Sequence, residues 1–124
     1  KIIDQYPEDH VNYAHNSENI QMGGYQQLVR AEVIRGRFRE SFEFPKPFKP
    51  NQKTAVNLKL QDILHTFKKG HRIVIQLQSS WFPYIDRNPQ NYVSNIFEAE
   101  ASDFTKSTIS IYGDSMIELG GQVQ

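Results

Sequence analysis

Tyr112-Gly113-Asp114-Ser115-Met116 is the stretch that looks most like a catalytic block, since Gly-Asp-Ser carries the nucleophile in one lipase family. A serine nucleophile needs a base within hydrogen-bond reach. In those lipases the base follows far downstream, whereas only nine residues follow Ser115 here and none is histidine. The stretch therefore reads as a turn between strands. No Gly-x-Ser-x-Gly elbow occurs anywhere in the chain, so the strained strand-to-helix serine of an α/β-hydrolase is absent from these residues.

The four histidines lack metal-motif spacing. His65 and His71 flank a turn, and His10 and His15 fall in an irregular segment, so neither pair sits one helical turn apart on a shared face. They read as ordinary turn or surface histidines. Asp62 and Asp86 are the right residue type for acid–base work, but nothing in the sequence brings them together, and they read as surface charge. Arg35, Arg37 and Arg39 alternate around Gly36 and Phe38, which on a strand places three guanidiniums on one face. With Glu40 and Glu43 following, an intramolecular or interdomain ion-pair cluster is a better reading than a nucleic-acid surface.

The most informative segment is Ser79-Ser80-Trp81-Phe82-Pro83-Tyr84-Ile85-Asp86-Arg87-Asn88-Pro89. It crowds four large apolar residues into a proline-bounded loop, a costly patch to leave in water. Either Trp81 and Phe82 close the end of the chain's own core or they meet a neighbouring domain. Trp81, Phe82, Tyr84, Asp86, Arg87 and Asn88 are accordingly the candidate interdomain or cleft-framing residues.

The elements that must carry this loop are strands. Val56, Leu58 and Leu60 alternate with Asn57, Lys59 and Gln61, as one-sided burial requires. Ile73, Ile75 and Leu77 alternate after the Lys69-Gly70 turn, with Val74 out of phase. Further strands are expected at residues 2–6, 25–34 and 107–112, and a short one at 116–119. Two segments read as short helices, residues 91–99 and residues 102–107, the second with Ser102 as N-cap. Five or six strands with almost no helix predict an all-β sandwich, because each one-sided strand must bury its apolar face against a second layer.

Composition narrows the partners. The 124 residues suffice for one domain with a single core. Fourteen basic and fourteen acidic residues cancel, so no long-range field draws the chain to nucleic acid or an anionic membrane. No apolar run reaches the roughly 20 residues of a membrane-spanning helix. There is no cysteine, which excludes disulfides and thiolate chemistry, and no cofactor is implied. The first residues already read as mid-strand, which suggests a piece of a longer polypeptide.

Several blocks resemble a known family. Phe67-Lys68-Lys69-Gly70-His71-Arg72-Ile73, residues 76–80, Phe82-Pro83 and Arg87-Asn88-Pro89 are similar to the characteristic stretch of one C-terminal domain. That domain is found in X-Pro dipeptidyl-peptidases, cocaine esterase, α-amino-acid ester hydrolases and glutaryl acylases. Ile2-Ile3-Asp4-Gln5-Tyr6-Pro7, Met22-Gly23-Gly24-Tyr25-Gln26-Gln27-Leu28-Val29-Arg30 and Arg35-Gly36-Arg37-Phe38-Arg39 look like further blocks, in family order, so the likeness runs from Lys1 to about Tyr112.

The resemblance implies a jelly-roll β-sandwich, similar to galactose-binding domains. It also implies an α/β-hydrolase domain of the same parent protein as partner, with the serine, aspartate and histidine of the triad there and no catalytic residue here. The family domain has strands before the one that begins here, so residues 1–124 are expected to form a single sandwich domain truncated at its N-terminal side. Pairing with another copy, as a homo-oligomer, is a second way to cover the edges this would leave. The expected role is structural and substrate-framing in a serine hydrolase acting on an X-Pro peptide, an ester or an amide. The rival is a stand-alone carbohydrate-binding module, which rests on fold analogy alone.

Overall fold

A computed structural model describes residues 1–11 and 20–121 of the chain. The described residues fall into two compact units, Lys1–Gln78 and a second beginning at Ser79.

In the first unit, β-branched and apolar residues form a three-stranded antiparallel sheet of β1 (Ile2–Gln5), β2 (Gln26–Arg30) and β3 (Arg72–Ile75), in the order β2-β1-β3. Ile3 stands abreast of Leu28 and Val74, and Asp4 abreast of Gln27 and Ile73. The register with β2 shifts between Ile2 and Ile3, a bulge that lets Ile2 face Arg30. Two turns return the chain to this sheet. Gly70 sits at φ 87°, a conformation that disfavours any residue with a Cβ, and the His71 amide closes the turn on the Lys68 carbonyl. Gly24, at φ 69°, does the same before β2.

The central strand carries a charge where the pattern predicts a hydrophobe. Ile3 is 5% exposed and Asp4 only 2%. A buried carboxylate is tolerable only when its oxygens are bonded, and both are: Oδ2 to His65 Nε2 at 2.9 Å and Oδ1 to His71 Nδ1 at 2.8 Å. The bonds reach 61 and 67 residues along the chain, fastening residue 65 and the start of β3 to β1. Gln61 accepts from Arg30 of β2, so residues 61–65 are tied to the sheet at two points. Tyr6 packs its ring 4.4 Å from His71 and 4.8 Å from His10 and donates its hydroxyl to Gln27. His71 closes a turn, as the sequence suggested, but neither it nor His65 is an ordinary surface histidine, since both bond the buried Asp4; His15 lies outside the described residues.

Other expectations need correction too. Residues 56–61, 107–112 and 116–119 carry strand-like patterning yet form no ladder among the described residues. A strand is defined by its partner, and none is bonded to them there. Arg35, Arg37 and Arg39 do not line a strand face, because Gly36–Phe38 is a 3₁₀ turn closed by the Phe38 amide on Arg35 and the Arg39 amide on Gly36. A Cβ at Gly36 would lie 2.1 Å from the Phe48 ring, so the turn depends on glycine for close approach.

Among the described residues of the second unit, helix is limited to two 3₁₀ turns, Ile96–Glu98 and Ala101–Asp103. Asn95 caps the first by accepting from the Phe97 amide. The second is shorter than the predicted 102–107, and its N-cap is Glu100, two residues before Ser102. The Asp103 carboxylate accepts from the Glu100 amide, and the Glu100 side chain bonds Asp103 in return.

Candidate functional site

The proline-bounded loop of residues 81–89 is fixed by its own backbone. The Ile85 amide donates to the Trp81 carbonyl at 2.8 Å, which folds the chain so that the Trp81 and Tyr84 rings meet at 4.9 Å. Asn88 Nδ2 donates to the Pro89 carbonyl, and the following amides, Gln90 and Asn91, both donate to the Asp103 carbonyl. Pro89 is buried beneath this crossing.

The apolar side chains point outward. Phe82 is 65% exposed and Tyr84 73%, while Trp81 is half-buried. Phe82 therefore does not close a core among the described residues. Instead Phe82, Asp86 and Arg87 line an open pocket of about 250 Å³ together with Ile96, Phe97 and Phe104. The Arg87 guanidinium lies 5.6 Å from the Phe104 ring centroid, within cation–π range. A second depression of about 350 Å³ is lined by Ser80, Phe82, Arg87, Asn88, Phe104 and others.

Four of the six candidates, Phe82, Asp86, Arg87 and Asn88, thus line one pocket or the other, with Phe82 and Arg87 in both, whereas Trp81 and Tyr84 line neither and meet each other. Ile96, Phe97 and Phe104 were missed. The signal for them was faint: two aromatics beside caps, in segments whose polar residues suggested surface helices.

Chemically the site can hold an apolar group beside a fixed cation and a carboxylate, but it contains no nucleophile–base pair. Ser115 sits in the turn expected of it, its amide bonded to the Tyr112 carbonyl. Asp62 and Asp86 lie in different units. Among the described residues no group of three potential ligands could hold a metal ion, and no helix is long and apolar enough to cross a membrane.

The family described as the X-Pro dipeptidyl-peptidase C-terminal non-catalytic domain matches residues 2–120. The chain belongs to that family. Among solved structures, an α-amino acid ester hydrolase labelled with selenomethionine is 48% identical, covering 85% of this chain at a TM-score of 0.73. The chain spans 16% of that protein's length. No curated protein matches. As a member of the X-Pro dipeptidyl-peptidase C-terminal family, the chain is an all-β sandwich domain, as its alternating strands led us to expect.

Proposed function

We propose that residues 1–124 serve as one domain that braces the α/β-hydrolase domain of a serine hydrolase and frames its substrate cleft. The observation that carries the reading is the loop of residues 81–89, which presents Phe82, Tyr84 and Arg87 to the outside on a backbone held by internal hydrogen bonds. A family of non-catalytic domains needs some such surface to act on a catalytic partner, and loops on a β-scaffold are where it is expected. The reaction of the parent is acyl transfer from an X-Pro peptide, an ester or an amide to water, with the serine, its histidine and its aspartate in the α/β domain. No observation favours the carbohydrate-binding alternative.

The test uses the full-length parent, assayed with an X-Pro anilide and an aryl ester before and after a serine-directed inhibitor. Arg87→Ala removes a cation–π contact and one wall of both pockets. It should lower kcat/KM or thermal stability, with a rate effect of about two- to tenfold, the equivalent of roughly 0.5–1.4 kcal/mol. Trp81→Ala should act in the same direction. Unchanged kinetics and unchanged melting in both variants would remove the framing role, whereas a parent inert to both substrates and to the inhibitor would remove the enzyme class.

A further inference from the structure

A second surface, in the other unit, displays aromatic side chains more openly than the loop of residues 81–89 and is stapled more firmly. Within residues 36–48 the Arg39 side chain is only 7% exposed. Its guanidinium donates to the carbonyls of Gly36 at 3.0 Å, Lys46 at 2.7 Å and Pro47 at 3.4 Å, and stacks 4.5 Å from the Phe48 ring centroid. The Lys46 amide donates to the Arg37 carbonyl at 2.8 Å, and the Lys46 ammonium pairs with Glu40. Both ends of the loop are thus held by one buried cation and one backbone bond. At its tip Ser41 Oγ accepts from the amides of Glu43 and Phe44, which fixes the backbone where the chain reverses.

What this frame holds out to solvent is Phe42, 81% exposed, and Phe44, 68% exposed. Two phenylalanines in water on a rigid loop are an unfavourable arrangement for an isolated surface. They have the composition and preorganisation of binding anchors: large, few rotatable bonds, and no ordering cost left for the backbone. Glu40 is paired with Lys46, but Glu43 stands exposed between the two phenylalanines, so the complement of the tip is an apolar concavity whose rim accommodates a carboxylate.

We propose that Phe42 and Phe44 are docking anchors that seat in an apolar recess of the catalytic domain of the same parent chain. The proposal rests on the bracing role above and adds the contact by which it is exerted. The occupant follows from two observations. The family is a non-catalytic domain, and in the solved relative the matching region is 16% of a chain whose remainder is available as a partner.

The test places a photo-crosslinking p-benzoylphenylalanine at position 42 of the full-length parent, an exposed site whose ring, 5.8 Å from that of Phe38, leaves most of its surface open. The same residue at Met116, 95% exposed, gives the background. After illumination, mass spectrometry should recover peptides joining position 42 to the catalytic domain within one chain, at least about fivefold above the Met116 background. Linkage only between two copies, or yield no higher than at Met116, would overturn the assignment. Serine-inhibitor labelling of the same preparation reports separately on the enzyme class: a labelled parent without the cross-link refutes the anchors alone.

Discussion

Replacing Asp4 by alanine removes the acceptor that His65 and His71 share. Both imidazoles lose a hydrogen bond to a carboxylate, and a bond to a charged group contributes about 1.5–3 kcal/mol net. His71, with a side chain only 4% exposed, then has no water in reach to replace it, whereas His65, at 19%, recovers part of its loss. Two such bonds total about 3–6 kcal/mol, and the partial recovery at His65 points to the lower part of that range. Burial of apolar area is not the competing explanation, since Asp4 contributes almost none. The readout is amide hydrogen exchange of β1 and β3 in the full-length protein, which reports local opening without assuming that the whole molecule unfolds in two states. A loss of about 3–4 kcal/mol corresponds to exchange faster by roughly 150- to 1,000-fold, since every 1.4 kcal/mol is tenfold. Asp4→Asn keeps one carbonyl oxygen and should fall between the two. Acceleration of less than tenfold in Asp4→Ala would show that β1 is held by its ladder and by Ile3, and that the carboxylate–imidazole pairs add little.

Gly36→Ala should destabilise the loop of residues 36–48, because the new methyl would sit 2.1 Å from the Phe48 ring; overpacking of this kind costs about 1–3 kcal/mol. Thermal melts of Gly36→Ala alone and with Phe48→Leu check this: the smaller side chain should recover part of the loss, and strict additivity would refute the contact. Glu40 is held below the usual glutamate range, first by its hydrogen bond from Lys46 and then by the Lys46 charge, against a smaller opposing effect of desolvation. A depressed carboxylate stabilises the fold above its unfolded-state value and loses that contribution as pH falls through the folded-state value. NMR titration of the Glu40 carboxyl should therefore give a midpoint below that of a free glutamate, and Lys46→Ala or added salt should move it upward; a midpoint unaffected by either would refute the pairing.

The sheet was the most legible part of the fold because its signal is local. Ile2, Ile3, Ile73 and Ile75 announce strands at the positions where β1 and β3 form, and Lys69-Gly70 announces the turn before β3. The same logic misread residues 56–61, where alternation is as regular as any in the chain, because alternation reports which side of a segment is apolar and says nothing of what pairs with it. Arg35, Arg37 and Arg39 failed for a different reason. Their spacing fits a strand, but the approach of Phe48 to Gly36 is a contact across a dozen residues that no period contains, and it converts the stretch into a turn with Arg39 folded inward.

The candidate site divides along the same line. Trp81, Phe82, Tyr84 and Arg87 could be singled out because aromatic residues between prolines are unusual wherever they occur, while Phe97 and Phe104 became part of the pocket only through the turns that Asn95 and Glu100 cap. The buried Asp4 is the instructive omission. A lone acid inside Ile2-Ile3-Asp4-Gln5-Tyr6 violates the apolar pattern, and a charge there persists only if something bonds it; two histidines flanking the turn at Gly70 were the available donors. Read as a demand for partners, that single misplaced charge predicts the His65–Asp4–His71 arrangement better than any metal motif did. The exposed Phe42 and Phe44 pose the converse demand, since apolar side chains held open on a fixed loop call for a covering surface that the described residues do not supply in full. One anomaly is answered inside the unit, and the other is the observation on which the proposed docking rests.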